Sequence, residues 1–128
     1  MKFSTRAGYG LRAMVNLAKN HPRRKNLQEI SKEEGMSLKY LEQLFRILKK
    51  NNLVVSRKGR VGGYVLAKNP KFIRAGEIIE IMDGPIAPME CAGGRCDMKC
   101  SCASSVVWIK LRQQIKKTLY GIKLSELI

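Results

Sequence analysis

Between Asn26 and Ala67 the chain sets out two short helices and then switches abruptly to an extended period. That switch limits the available folds more than any other feature of the sequence. Asn26-Leu27-Gln28-Glu29 has the form of a capping box, with an Asn cap and a Glu three residues on. It predicts a short helix that turns Leu27 and Ile30 inward. Gly35 is placed to close this helix in a left-handed turn. Ser37 is a good cap for a further helix from Leu38 to about Asn51, with Leu38, Leu41, Leu44, Phe45 and Leu48 on one face. Two short helices divided by a glycine-containing turn read as a helix-turn-helix. Leu53-Val54-Val55-Ser56 then reads as a strand, residues 57–63 as a turn and Tyr64-Val65-Leu66-Ala67 as the return strand. A hairpin directly after a helix-turn-helix is the wing of a winged helix.

The flanking segments complete the plan. A first helix is predicted from Thr5 to Asn20, with Ala7, Leu11, Met14, Val15 and Ala18 on its buried face and His21-Pro22 as its stop. Ile78, Ile79, Ile81 and Met82 predict a short helix ended by Asp83-Gly84. Residues 84–102 hold Pro85, Pro88, Gly93, Gly94 and all four cysteines, and read as a loop. A long helix follows from about Ala103 to Tyr120, striped by Val107, Trp108, Leu111, Ile115, Thr118 and Leu119, with Ile122 just past its end. Such a stripe is too apolar for a lone surface helix, and burying it against a second copy removes much apolar area from water. The expected fold is mainly α with a small β-hairpin: a winged helix-turn-helix domain over 1–83, a cysteine-bearing sensory loop over 84–102, and a dimerisation helix with C-terminal tail over 103–128.

Charge points to the partner. The chain has 25 Lys and Arg against 10 Asp and Glu, a formal +15. Residues 1–83 carry 18 against 7, a net of +11, whereas residues 84–128 carry 7 against 3, a net of +4. An excess of this size implies a polyanion. No run approaches the ~20 apolar residues of a membrane-spanning helix, and the first residues lack the pattern of a signal peptide. The expected location is the cytoplasm, where thiols stay reduced. An enzyme is not expected: there is one His and two Asp, and the Gly59–Gly63 stretch lacks the Gly-Lys-Ser/Thr ending of a phosphate loop. The charge and the helix-turn-helix together suggest double-stranded DNA. The first turns of the second short helix would offer Ser37, Lys39, Tyr40, Glu42 and Gln43 to base edges, where Gln can pair with adenine and Glu can accept from cytosine. Arg57, Lys58 and Arg60 at the wing suit phosphate or the minor groove. The plainer alternatives are a solvated helix face with a charged turn, or an adaptor that binds protein rather than DNA.

Cys91, Cys96, Cys100 and Cys102 form the pattern Cys-x4-Cys-x3-Cys-x-Cys, which is not a paired zinc knuckle. Thiolates this close repel unless a cation or cluster joins them, and a helix start after Cys102 favours thiolate there. Soft thiolates select iron–sulfur or zinc. On chemistry alone an iron–sulfur cluster, a zinc ion and an unligated thiol switch all stay open.

The sequence resembles the IscR/NsrR-type winged-helix regulators, the Rrf2 family, over essentially its whole length. The resemblance rests on 1–14 (Met1-Lys2-Phe3-Ser4-Thr5-Arg6-Ala7 through Met14), on Ile30-Ser31 to Ser37, and on Tyr40-Leu41-Glu42-Gln43-Leu44-Phe45. It rests also on the wing 60–67, on Gly76-Glu77-Ile78-Ile79, and on Val107-Trp108 to Leu127. It implies a homodimeric transcription regulator built on the long helix. In cluster-bearing members three loop cysteines hold a [2Fe-2S] or [4Fe-4S] cluster, and Cys91, Cys96 and Cys102 match those positions. Cys100 is additional. Where some members supply a His after the third cysteine, this chain has Ser105. Where others supply an acidic residue from the partner's N-terminal helix, it has Gly8. The resemblance therefore leaves the fourth ligand open, with Cys100 as a candidate.

Overall fold

The computed structural model describes residues 2–59, 62–89 and 103–128. Its elements run α1 (Thr5–Asn20), α2 (Leu27–Glu34), α3 (Leu38–Lys50), β1 (Val54–Arg57), β2 (Gly63–Leu66), a 3-10 turn (Pro70–Phe72), α4 (Ala75–Asp83), α5 (Ser105–Tyr120) and a second 3-10 turn (Leu124–Leu127). This is the expected winged helix with an added long helix.

The helix starts follow from local chemistry. The Ser4 hydroxyl oxygen accepts from the Ala7 amide, and the Ser37 hydroxyl oxygen accepts from the Tyr40 amide at 3.1 Å. Asn26 and Glu29 form the full reciprocal capping box. Gly35 ends α2 at φ 66°, a left-handed conformation that glycine adopts without a Cβ penalty.

The core is one apolar cluster between α1, α3 and α4, closed by β1 and β2. Phe45, Met14, Leu17, Ile30, Leu41, Leu44, Leu48, Ile78 and Met82 are its largest fully buried members from the helices. Each such side chain contributes roughly 1.5–3 kcal/mol over an exposed one. The buried face of α1 is rotated from the expected stripe: Ala7, Gly10, Ala13, Met14, Leu17 and Ala18 face inward, while Leu11 and Val15 are only half-buried. The reason lies on α4. A Cβ at Gly10 would stand 2.9 Å from Met82 Cγ, so α4 closes on the small residues of α1 rather than on its branched ones. The same pair of helices is tied at its end by Ser4, whose amide donates to Asp83 Oδ2 at 2.9 Å and whose hydroxyl also donates to the Asp83 carboxylate.

The hairpin pairs Val54 with Leu66, Val55 with Val65, Ser56 with Tyr64 and Arg57 with Gly63. Both strands thus lie one residue nearer the turn than the sequence pattern placed them. Gly63 allows this: any Cβ there would meet the Lys25 carbonyl oxygen at 2.6 Å. That carbonyl accepts from the Tyr64 amide at 2.8 Å, and the Lys25 amide donates to Tyr64 at 3.1 Å. Lys25 is therefore a single-residue third rung of the wing sheet.

Past α5 the chain returns to the core. Arg74 and Lys123 form a bridge pair, the Leu124 amide donates to the Ile73 carbonyl at 2.8 Å, and Leu124 is fully buried. No described helix is long and apolar enough to cross a membrane.

Candidate nucleic-acid interface

The sequence of α3 separates two faces cleanly. Leu41, Leu44, Phe45 and Leu48 are buried. Ser37, Lys39, Glu42, Gln43, Arg46, Lys49 and Lys50 are exposed. The predicted groove-facing side chains of α3 therefore share one solvent face, with one exception. Tyr40 is half-buried and sits edge-on to Tyr9 of α1, with ring centroids 5.6 Å apart, and the Arg12 guanidinium covers the other ring at 5.3 Å. Tyr40 packs against the first helix rather than projecting freely.

Glu42, Arg46, Lys49 and Lys50 line a cleft that continues to Tyr64 at the base of the wing. Among the described residues, none of Lys39, Arg46, Lys49, Lys50, Arg57 and Lys58 pairs with a carboxylate. Cations left unpaired on one face raise its potential and suit it to phosphate. Arg57 is the last residue of β1 and Lys58 begins the tip; both are exposed. Arg60 lies outside the described residues.

The wing is anchored from beneath. Lys25 is 2% exposed, and its ammonium donates to Glu33 Oε1 of α2 at 2.5 Å. Asn16 of α1 donates to the same oxygen at 3.0 Å and to Glu34 Oε2 at 2.9 Å. The Lys25 hydrogen bond first, and the Asn16 amide second, hold the Glu33 carboxyl below the usual carboxylate range. A buried lysine without that carboxylate would be costly. This clamp joins α1, α2 and the wing sheet, and no periodicity in the sequence announces it.

A second joint links α5 to α4. The Tyr120 ring lies over Gly76, and its hydroxyl donates to Glu80 Oε1 at 2.7 Å. Burial first, then this bond to a carboxylate, raises the phenol to about 12. Lys116 reaches the same carboxylate at 3.6 Å, and Arg112 Nε donates to the Ile86 carbonyl at 3.0 Å. Toward its start α5 is more open: Val106, Val107, Ile109 and Leu111 are exposed apolar residues, whereas Ser105 is buried, Trp108 and Ile115 are half-buried, and Leu119 packs against the core. The expected helix start at Ala103 becomes a turn over 103–104.

Cys91, Cys96, Cys100 and Cys102 lie outside the described residues, and among those described no group of three His, Cys, Asp or Glu could hold a metal. Gly8 is exposed on α1 with open space around it.

A capped helix-turn-helix, a hairpin beside it and a joint unpaired cationic face define a winged-helix DNA-binding protein. The Rrf2 family profile, described as an iron-dependent transcriptional regulator, matches residues 3–128. CymR of Bacillus subtilis is 38% identical over 128 residues, covering 99% of this chain and 89% of the relative. Its structure, described as that of the global cysteine regulator, superposes with a TM-score of 0.87 over 99% of this chain and 95% of the other. IscR of Klebsiella pneumoniae is 36% identical over 130 residues, covering all of this chain and 80% of the relative. The structure of T. potens IscR gives a TM-score of 0.81 at 33% identity, over 99% of this chain and 85% of the other. The chain belongs to the Rrf2 family of DNA-binding transcriptional regulators, a class whose named relatives are not enzymes.

Proposed function

We propose that this regulator works as a homodimer whose operator affinity is set by a thiolate-bound iron–sulfur cluster. The observation that carries the reading is the pairing of four cysteines within twelve residues with the helix that follows them. That helix leaves apolar residues exposed at one end, Val107 and Leu111 among them on one face, and is fastened to the DNA-binding head at the other. The functional division is a head over 1–83, a sensory loop over 84–102 and a dimer helix over 103–128.

The donor set fits the group. Four soft thiols in one short stretch suit an iron–sulfur cluster better than they suit hard cations. Cys91, Cys96 and Cys102 would be ligands, with Cys100 the fourth ligand or a spare, since Ser105 and Gly8 offer no imidazole or carboxylate. A bound cluster would make the protein responsive to iron–sulfur status, oxidants or nitric oxide. The protein's part is mechanical. Ligation constrains the segment leading into α5, α5 sets the geometry of the dimer, and the Tyr120–Glu80 and Arg112–Ile86 contacts pass that geometry to α4 and the head. Such coupling requires only that the liganded loop prefer one dimer arrangement. Within the head, Ser37, Lys39, Glu42 and Gln43 read bases, Tyr40 positions the helix, and Arg57, Lys58 and Arg60 hold the backbone.

The IscR relatives favour the cluster. A second reading is a switch based on the state of the thiols themselves or on zinc; a CymR relative described as a global cysteine regulator and a CymR structure described as an oxidized form favour its thiol version. Anaerobic purification and reconstitution separate them. A brown protein carrying iron and sulfide, lost on Cys91→Ser, Cys96→Ser or Cys102→Ser, with different operator affinity in loaded and unloaded forms, supports the cluster. Uptake of neither iron nor sulfide, with affinity that follows thiol oxidation or zinc, supports the second reading. An adaptor role requires that duplex DNA not bind at all.

A further inference from the structure

The loop between α1 and α2 carries two adjacent arginines, and the ion pairs of the fold account for only one of them. His21-Pro22-Arg23-Arg24 leads directly into Lys25, and Lys25 is locked to Tyr64 by two backbone hydrogen bonds and to Glu33 by its buried ammonium. The loop is therefore held rigidly against the wing on the side opposite β1. Arg24 is exposed, and its Nη1 lies 3.4 Å from the Lys58 carbonyl oxygen at the wing tip. Among the described residues no carboxylate pairs with Arg24, whereas its neighbour Arg23 is engaged by Glu29 at 3.1 Å. Arg24 thus stands with Arg57 and Lys58 on a single cationic rim, assembled from segments 33 and 34 residues apart in sequence. A guanidinium that uses one nitrogen on a carbonyl keeps its remaining donors, in the planar fork that fits a phosphate.

We infer that Arg24 is a third DNA-contacting element of this protein. It grips a backbone phosphate beside the groove that takes the wing, and Lys25 is the positioning residue that sets it there. The inference rests on the DNA-binding reading, and the partner is the same duplex, because Arg24 touches the wing tip at Lys58 and adjoins Lys25, which pairs with Tyr64, the residue that closes the basic cleft of α3.

The test uses a duplex recovered by the wild-type protein from a randomised pool. Operator affinity is titrated against salt for wild type, Arg24→Gln and Arg24→Lys. Loss of one phosphate contact lowers the salt slope by about 1. The advantage of wild type over Arg24→Gln should then shrink about 3.5-fold between about 50 and about 200 mM salt. Arg24→Lys should restore the slope. A walk of single neutral methylphosphonates along the duplex should find a position that weakens wild type but leaves Arg24→Gln unaffected. An unchanged slope, or a uniform loss with the same methylphosphonate profile as wild type, means that Arg24 only braces the wing, and overturns the proposal while leaving DNA binding intact. Absence of salt-sensitive duplex binding by wild type itself overturns both.

Discussion

Replacing Gly76 with Ala should loosen the joint between the long helix and the head, and the cost can be worked from the geometry. A Cβ at this position would lie 2.3 Å from Tyr120 Cδ2, 2.4 Å from Cε2 and 2.8 Å from Cγ. These are atoms in the body of a ring whose hydroxyl is held by Glu80, so the ring cannot swing aside while keeping that bond. Overpacking of this kind costs about 1–3 kcal/mol. If the ring instead leaves, a hydrogen bond to a charged group is lost, a contribution of ~1.5–3 kcal/mol. Against this, Ala is favoured over Gly in a helix by up to about 1 kcal/mol. The net loss should be about 1–2 kcal/mol, which for a chain of this size lowers the melting temperature by roughly 3–10 °C. The decisive assay is a double-mutant cycle with Tyr120→Ala, followed by urea unfolding at matched protein concentration. In the Tyr120→Ala background there is nothing to strike, so Gly76→Ala should be neutral or stabilising, giving a coupling of about 1–3 kcal/mol. If Gly76→Ala destabilises both backgrounds equally, the ring is not the reason for the glycine.

Val107→Asp with Leu111→Asp puts two charges on the exposed apolar row of α5 and should yield monomers that bind the operator poorly, read by light scattering and titration; an undiminished dimer would place the interface elsewhere. Gln43→Ala should relax selection at one base pair, by about 1–3 kcal/mol of discrimination, whereas Lys58→Gln should weaken all sequences alike and lower the salt slope by about 1; selection from a randomised pool distinguishes them. Tyr120 should mark the alkaline limit of stability. The folded chain holds the phenolic proton more tightly than the unfolded chain, with the group raised from 10.0 to about 12, so its contribution is complete below pH 10 and fades as pH rises through that interval. Tyr120→Phe should be less stable than wild type at neutral pH, and the difference should close toward pH 12 in a pH series of denaturation curves.

The helices and their order along the fold are written in local pattern. Asn26, Glu29, Gly35 and Ser37 act through hydrogen bonds that span three to five residues, so their meaning does not depend on the rest of the chain. The exposed face of α3 was equally legible, because Leu41, Leu44, Phe45 and Leu48 recur at helical spacing and leave Lys39, Glu42 and Gln43 on the other side. Periodicity says that a helix has an inner face, but its rotation is set by what packs there. Met82 against Gly10 decided that Leu17 rather than Leu11 would be buried, and Tyr9 decided that Tyr40 would pack instead of reaching outward. The one-residue shift of the hairpin came from Lys25, which pairs with Tyr64 across 39 residues, and the seat of Tyr120 came from Gly76 and Glu80, at least 40 residues away. Only the folded chain brings Arg24 to the wing tip. Contacts between distant segments leave no local pattern, since each partner alone reads as an ordinary basic, small or aromatic residue, and the tertiary structure alone supplies the proximity that gives them a role.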